Sequence, residues 1–232
     1  WFGASLACML VFQLYGLPIS WIDAFFASVS GLTTTGIEVF PKLSLLPKSL
    51  LFFRVWLQFL GGMGIILMAV TAFSSGGFGL PHSTKLDLPG PVVSYSKKKP
   101  KLSDIARYLW IVYFSMTLLS VFCCKALGLT WFESFCESFS VISTGGYTVH
   151  DVGILHYHSS GLKIIMMFFM LFSSINFLLH YQFFVLREYR GYMMSLELKG
   201  YLFALSLMLV FFVIGMKVFS DGPSILDIMF TV

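Results

Sequence analysis

Five stretches of this 232-residue chain, roughly 1–17, 50–73, 107–127, 162–186 and 200–219, are continuously apolar. A helix needs about 20 such residues to cross a hydrocarbon core, and backbone inside lipid must satisfy its own hydrogen bonds. The expected fold class is therefore an all-α integral membrane protein. Composition agrees: 57% of the residues are hydrophobic and 11% charged, against about 25% charged in a soluble domain. The formal charge of +4 raises nucleic acid as a partner, but the basic residues are scattered through short loops. No nucleic acid is expected, and the lipid bilayer is the first partner. Cys8, Cys123, Cys124 and Cys136 sit in apolar stretches without CxxC spacing, as small hydrophobes do. The chain opens at Trp1 without a basic leader and ends in an apolar segment at Val232, as a piece of a longer protein would.

Three shorter helices are expected near 21–31, 131–141 and 225–232. At 1.5 Å per residue each reaches only about 16 Å. A helix that short at membrane depth is re-entrant, and the irregular backbone beyond it must face protein or a water-filled cavity. Basic residues set the orientation. Residues 74–107 and 187–199 hold nine: Lys85, Lys97, Lys98, Lys99, Lys101, Arg107, Arg187, Arg190 and Lys199. The opposite connections hold five: Lys42, Lys48, Lys125, Lys163 and Lys217. The first set is expected to be cytoplasmic, which places the short helices in outward loops.

The chain also repeats itself. Without gaps, residues 20–39 match residues 130–149 at an offset of 110. Trp21, Phe25, Ser28, Ser30, Thr34, Gly36 and Val39 are identical to Trp131, Phe135, Ser138, Ser140, Thr144, Gly146 and Val149. A weaker third copy begins at Ser224. Each copy opens with a capping box, Ser20 with Asp23, Thr130 with Glu133, and Ser224 with Asp227. Capping alone accounts for these acids, so no catalytic role is expected of them. After the short helix come Thr33, Thr34, Thr35 and Gly36 in one copy and Ser143, Thr144, Gly145 and Gly146 in the other. Glycine allows backbone angles that a Cβ forbids, so successive carbonyls can point to one axis. Rings of carbonyls that replace a hydration shell select potassium in pores, and the negative end of the helix dipole favours a cation.

These residues resemble the Trk/Ktr/HKT superfamily of cation transporters, and the TrkH-type membrane subunit of bacterial potassium uptake in particular. The motifs are SVSGLTTTGIEVF (28–40), LPKSLLFFRVWLQFLGGMGIILMAV (46–70), PGP (89–91), SFSVISTGGYTVHD (138–151) and INFLLHYQ (175–182). The resemblance implies a potassium-channel-like fold of four span–pore loop–span units around one pore. Thr33 to Gly36 would be the first quarter of a selectivity filter, and Ser143 to Gly146 the second. It further implies potassium as the transported ion, no organic cofactor, a homodimer, a cytosolic ring of nucleotide-binding regulatory subunits, and a multi-pass location in the bacterial inner membrane. On this reading 1–73 is the first unit, 74–106 a cytoplasmic linker, 107–186 the second unit, 187–199 a second linker, and 200–232 the start of a third, cut before its filter. The gating loop would lie beyond the chain. One aligned glycine per quarter leaves fewer carbonyl layers than a TVGYG filter, so discrimination against sodium is expected to be weaker.

Other residues admit more than one reading. Arg54 either snorkels to the interface, lines the outer mouth or pairs with a pore-loop acid such as Glu38. Asn176 and His180, one turn apart, serve interhelical hydrogen bonds or a pore-side contact. Gly61, Gly62 and Gly64 suit close helix approach. His150, Asp151, His156 and His158 follow the second filter motif and contain metal-ligand types. His150 and Asp151 would also be the acid–base pair of a membrane-embedded enzyme, but no nucleophile or metal set recurs with the repeat. A third reading, the potassium-binding subunit of an ATP-driven pump, would need a partner for hydrolysis, since no Walker-type loop occurs.

The topology predicts that single cysteines introduced at 37–48 and 148–160 react with an impermeant reagent from outside. Cysteines introduced between Lys97 and Lys101 should react only from the cytoplasm. Inward labelling of Asp151→Cys would invert the topology.

Overall fold

The computed structural model describes residues 1–16, 18–74, 102–184, 187, 189 and 194–219. Among them there are helices, turns and loops and no strand. Helix α1 is Phe2–Leu14 and α2 is Trp21–Leu32; α3 is Lys48–Ser74 and α4 is Leu102–Ala126. They are followed by α5 (Trp131–Ile142), α6 (Ser160–Ser173), α7 (Phe177–Phe184) and α8 (Leu196–Phe219).

The short helices α2 and α5 are both 12 residues long and start and stop 110 positions apart, so the repeat read in the sequence is a repeat of structure. Their starts are fixed as capping dictates. Thr130 is extended, its hydroxyl accepts the Glu133 N–H, and Glu133 accepts the Thr130 N–H at 2.9 Å, which completes a reciprocal box. In the first copy the Ser20 hydroxyl accepts the Asp23 N–H at 3.1 Å and donates to the Asp23 carboxylate at 2.8 Å. Aspartate is one methylene shorter than glutamate: Glu133 accepts both the N–H and the hydroxyl of Thr130, whereas Asp23 accepts only the hydroxyl of Ser20. The expected copies at 225–232 and Ser224 lie outside the described residues.

Two helical stretches among the described residues are long and apolar enough to span a membrane, Lys48–Met68 in α3 and Ile105–Ala126 in α4. The expected run 200–219 falls inside α8, 24 residues long. The run 1–17 forms a helix of only 13 residues, about 20 Å. The run 162–186 is not one helix: α6 ends at Ser173 and α7 starts at Phe177. The hydroxyls of Ser173 and Ser174 both donate to the Met170 carbonyl, at 3.0 and 2.8 Å. Serine competes in this way with the backbone ladder, and an apolar count does not register it.

The described residues divide into two compact units, one built from Trp1–Val70 and Tyr113–Ser174, the other from the described residues outside these ranges. In the first, α1 packs on α2 and α5 on α6. Phe59 on α3 stacks on Phe139 of α5 with ring centroids 4.4 Å apart, and its carbonyl accepts the Tyr113 hydroxyl at 3.0 Å. Tyr113, Met116 and Val121 of α4 are buried, whereas Phe114, Leu118 and Phe122 are exposed. An exposed apolar stripe on a spanning helix is what lipid covers. In the second unit, Leu179 and Leu198 are buried together beneath Ile175 and Phe183, and Asn176 Nδ2 donates to Glu197 Oε2 at 3.1 Å. Asn176 thus makes an interhelical bond, and His180 is buried between the rings of Phe177 and Phe184.

Two of the three α3 glycines lie against the ends of the short helices. A Cβ on Gly61 would stand 2.1 Å from the Leu32 carbonyl oxygen, and one on Gly62 would stand 3.1 Å from Ser143 Cβ. Gly61→Ala should therefore lower stability by about 1–3 kcal/mol, the usual size of an overpacked contact. It would be read as a fall in Tm in detergent. Gly3→Ala, also helical but with nothing within 4 Å of the new Cβ, is the matched control and should leave Tm unchanged or slightly raised, since alanine is the better helix former.

Candidate functional site

The two loops leave their helices by the same route. In the first, the Thr34 N–H donates to Gly31 O and the Thr35 N–H to Ser30 O; in the second, the Thr144 N–H donates to Val141 O and the Gly145 N–H to Ser140 O. This pair of bonds is the Schellman ending, which normally places glycine in the left-handed region. Helix α4 ends that way, with Gly128 at φ +100°. At the same place α2 and α5 carry threonine, Thr34 at φ +54° and Thr144 at φ +53°. A β-branched residue there is strained, and such strain persists only where the surroundings impose it.

Backbone handedness then alternates. Thr33 has φ −87°, Thr34 φ +54° and Gly36 φ +73°; Ser143 has φ −79°, Thr144 φ +53° and Gly146 φ +84°. Thr35 and Gly145, between them, are not in the left-handed region. Alternation gathers N–H groups on one side of the chain and carbonyls on the other. The N–H groups of Thr34, Thr35 and Gly36 are bonded to the helix end, and the carbonyls of Thr33 to Gly36 are the loop's other backbone polar groups. Hard oxygen donors of this kind suit a desolvated monovalent cation. The structure brings the loops together: a Cβ on Gly36 would stand 1.8 Å from Gly145 O. In the second loop Gly145 O already accepts from Gln58 Nε2 at 2.8 Å.

One stripe of α3 holds both loops. Arg54 is 1% exposed and pairs with Glu38 of the first loop, and its guanidinium lies 4.4 Å from the Tyr147 ring centre and 5.3 Å from that of Phe40. Of the readings open in the sequence, the pairing with Glu38 is the one observed. Four residues on, Gln58 reaches the second loop; three and four further, Gly61 and Gly62 admit the ends of α2 and α5. Spacing of i, i+4, i+7 and i+8 keeps these residues on one helical face. Tyr147 ties the loops, its hydroxyl lying 3.4 Å from both Ala27 O and Ile37 O.

The outer-loop residues part company. His150 Nε2 lies 3.0 Å from Glu133 Oε1, and its ring stacks on His156 at 3.8 Å. Asp151 turns the other way and accepts the N–H groups of Leu43 and Ser44, capping a 3-10 turn at Leu43–Leu45. The Ser44 side chain first, then the Leu43 N–H, hold the Asp151 carboxyl below its ordinary value. His150 and Asp151 therefore do not form an acid–base pair. Nor do His150, Asp151, His156 and His158 assemble a metal site, since no three metal-ligating side chains converge among the described residues.

The family model for TrkH, described as a cation transport protein, matches residues 5–220. The chain belongs to the TrkH family. It is 40% identical over 163 residues to the Trk system potassium uptake protein TrkH of Vibrio parahaemolyticus, covering 70% of this chain and 33% of that protein. It is 36% identical over 183 residues to TrkH of Escherichia coli strain K12, covering 78% of this chain and 37% of that protein. The crystal structure of the potassium transporter TrkH from Vibrio parahaemolyticus superposes with a TM-score of 0.81 at 31% identity, covering 98% of this chain and 46% of that one. The chain thus spans about a third of the length of the curated relatives it matches. A TrkH-family chain is a membrane protein, and its relatives are transporters.

Sequence reasoning missed Gln58 and Tyr147. A glutamine deep in an apolar span is itself a signal, because a polar group there is expensive unless bonded. The Arg54–Glu38 pair generates a prediction. Glu38→Gln strands a buried guanidinium and should destabilise the protein by up to about 3 kcal/mol, the low end for breaking a buried pair. Adding Arg54→Met should recover part of that loss, measured as Tm of the double variant against the single one. A double variant no more stable than Glu38→Gln would mean that the stranded guanidinium is not the source of the loss.

Proposed function

We propose that this chain is part of the pore-forming membrane subunit of a Trk-type potassium uptake system. On this reading the backbone carbonyls of Thr33 to Gly36 and of Ser143 to Gly146 supply two quarters of its selectivity filter. The observation that carries the proposal is the matched alternation of handedness in two loops 110 residues apart that meet at Gly36 and Gly145. Potassium is the cargo: a filter of carbonyls replaces its hydration shell without a resident cofactor. The threonines that occupy left-handed positions place a hydroxyl where glycine would be easier, which suits an oxygen-lined path. The C-terminal dipoles of α2 and α5 point their negative ends at the same loops.

The same reading takes 1–73 and 107–186 as two span–loop–span units, 74–106 and 187–199 as cytoplasmic linkers and 200–232 as the start of a third unit. It also sets the subunit in the bacterial inner membrane as a homodimer on a cytosolic ring of nucleotide-binding regulatory subunits. The names of the relatives support uptake of potassium, and the exposed apolar stripe of α4 supports the membrane setting.

In the full-length gene product, Gly36→Val and Gly146→Val should each cut rubidium uptake by about tenfold or more, as expected when 1–3 kcal/mol of backbone strain is forced on the loop. The protein should still reach the membrane. Thr34→Ser and Thr144→Ser should be mild, and the matching valine variants weaker in uptake. Wild-type flux and selectivity in both glycine variants would remove the filter assignment.

A further inference from the structure

Gln58 belongs to α3, in the first repeat, yet its side-chain amide holds the two backbone groups that flank Gly146 in the second. Nε2 donates to Gly145 O at 2.8 Å, and Oε1 accepts the Tyr147 N–H at 3.3 Å. The side chain is fully buried, so both bonds are made without competition from water. Gly146 needs such a hold. It sits at φ +84° with nothing within 4 Å of where a Cβ would be, so no side wall restricts a residue that moves freely between hands.

The first loop meets the same need from within. Ile37, the counterpart of Tyr147, donates its N–H to Ser30 Oγ at 2.8 Å, and that hydroxyl donates to Ile37 O at 3.1 Å. The difference explains a mismatch between the repeats. Position 35 is threonine and its counterpart 145 is glycine, and a Cβ at 145 would stand 2.4–2.7 Å from the atoms of the Gln58 amide. The clamp and the glycine require one another.

We propose that Gln58 is a positioning and specificity-determining residue for the second filter quarter, fixing the direction of the Gly145 carbonyl and the conformation of Gly146 from the neighbouring repeat. This rests on the reading of Ser143 to Gly146 as filter. The test measures rubidium and sodium uptake by the full-length gene product in vesicles. Gln58→Leu keeps the bulk and removes both bonds, and the rubidium-to-sodium ratio should fall about fivefold, the size of one net hydrogen bond, at wild-type yield of folded protein. A wild-type ratio in Gln58→Leu overturns the proposal. Where Gln58→Leu does not fold, the Gly145 pair decides. Gly145→Thr alone should abolish uptake, and combining it with Gln58→Ala should restore uptake with an altered ratio. A double variant as inactive as Gly145→Thr overturns the proposal. Gly146→Val is the control for the underlying reading: wild-type uptake and ratio there remove Ser143 to Gly146 from the filter, whereas impaired Gly146→Val beside unaffected Gln58→Leu removes only the role of Gln58.

Discussion

The last carbonyls of a helix have no partner within the helix, and where the chain end is packed in protein they must find donors there. Helices α2 and α5 answer this within a few residues: the N–H groups of the departing chain turn back onto Ser30, Gly31, Ser140 and Val141. That solution forces residue 34 and residue 144 into the left-handed region and sets the alternation that follows. Satisfying the helix terminus and setting the alternation of handedness are one event of backbone geometry.

The loops also need an anchor outside themselves, because alternating handedness confers no side-chain packing of its own. Helix α3 supplies it along a single face. Where small residues stand, at Gly61 and Gly62, backbone approaches backbone; where long polar residues stand, at Arg54 and Gln58, side chains reach out to the loops. The stripe exchanges close contact for reach within three turns. Burial of Arg54 is offset in part by a carboxylate and two aromatic faces around it, while its Nε and Nη1 are buried without a hydrogen-bond partner, a cost that the pairing with Glu38 has to meet.

The parts of this arrangement legible in the sequence are the local ones. The bounds of α2 and α5, their hydroxyl caps and the need for special backbone angles at Gly36 and Gly146 follow from residue type and spacing at short range. Self-comparison at offset 110 added the equivalence of the two loops. Contacts made across 87 to 120 residues were not legible, as with Gln58 on Gly145, Tyr147 on Ala27 and Asp151 on Leu43, because no period or cap encodes them. The break between α6 and α7 escaped for a different reason: hydropathy averages over Ser173, Ser174 and Asn176, while their hydrogen bonding acts residue by residue. Arg54 is conspicuous in the sequence as a charge in a span, whereas Gln58 is neutral and equally out of place there.

The two loops share a backbone path but not a support. The first is held by Ser30 of its own short helix, the second by Gln58 of another element, and Tyr147 bridges the two through its hydroxyl and its N–H. A displacement of the first loop acts on Ile37 O and Glu38, and both lead to Tyr147, one by a hydrogen bond and the other through the Arg54 guanidinium over its ring. The second loop has less independent freedom than its open surroundings at Gly146 suggest, because its two flanking backbone groups are fixed to α3. The two copies thus have equivalent chain paths and different restraints. The repeats are alike where backbone geometry is decided and unlike where it is held.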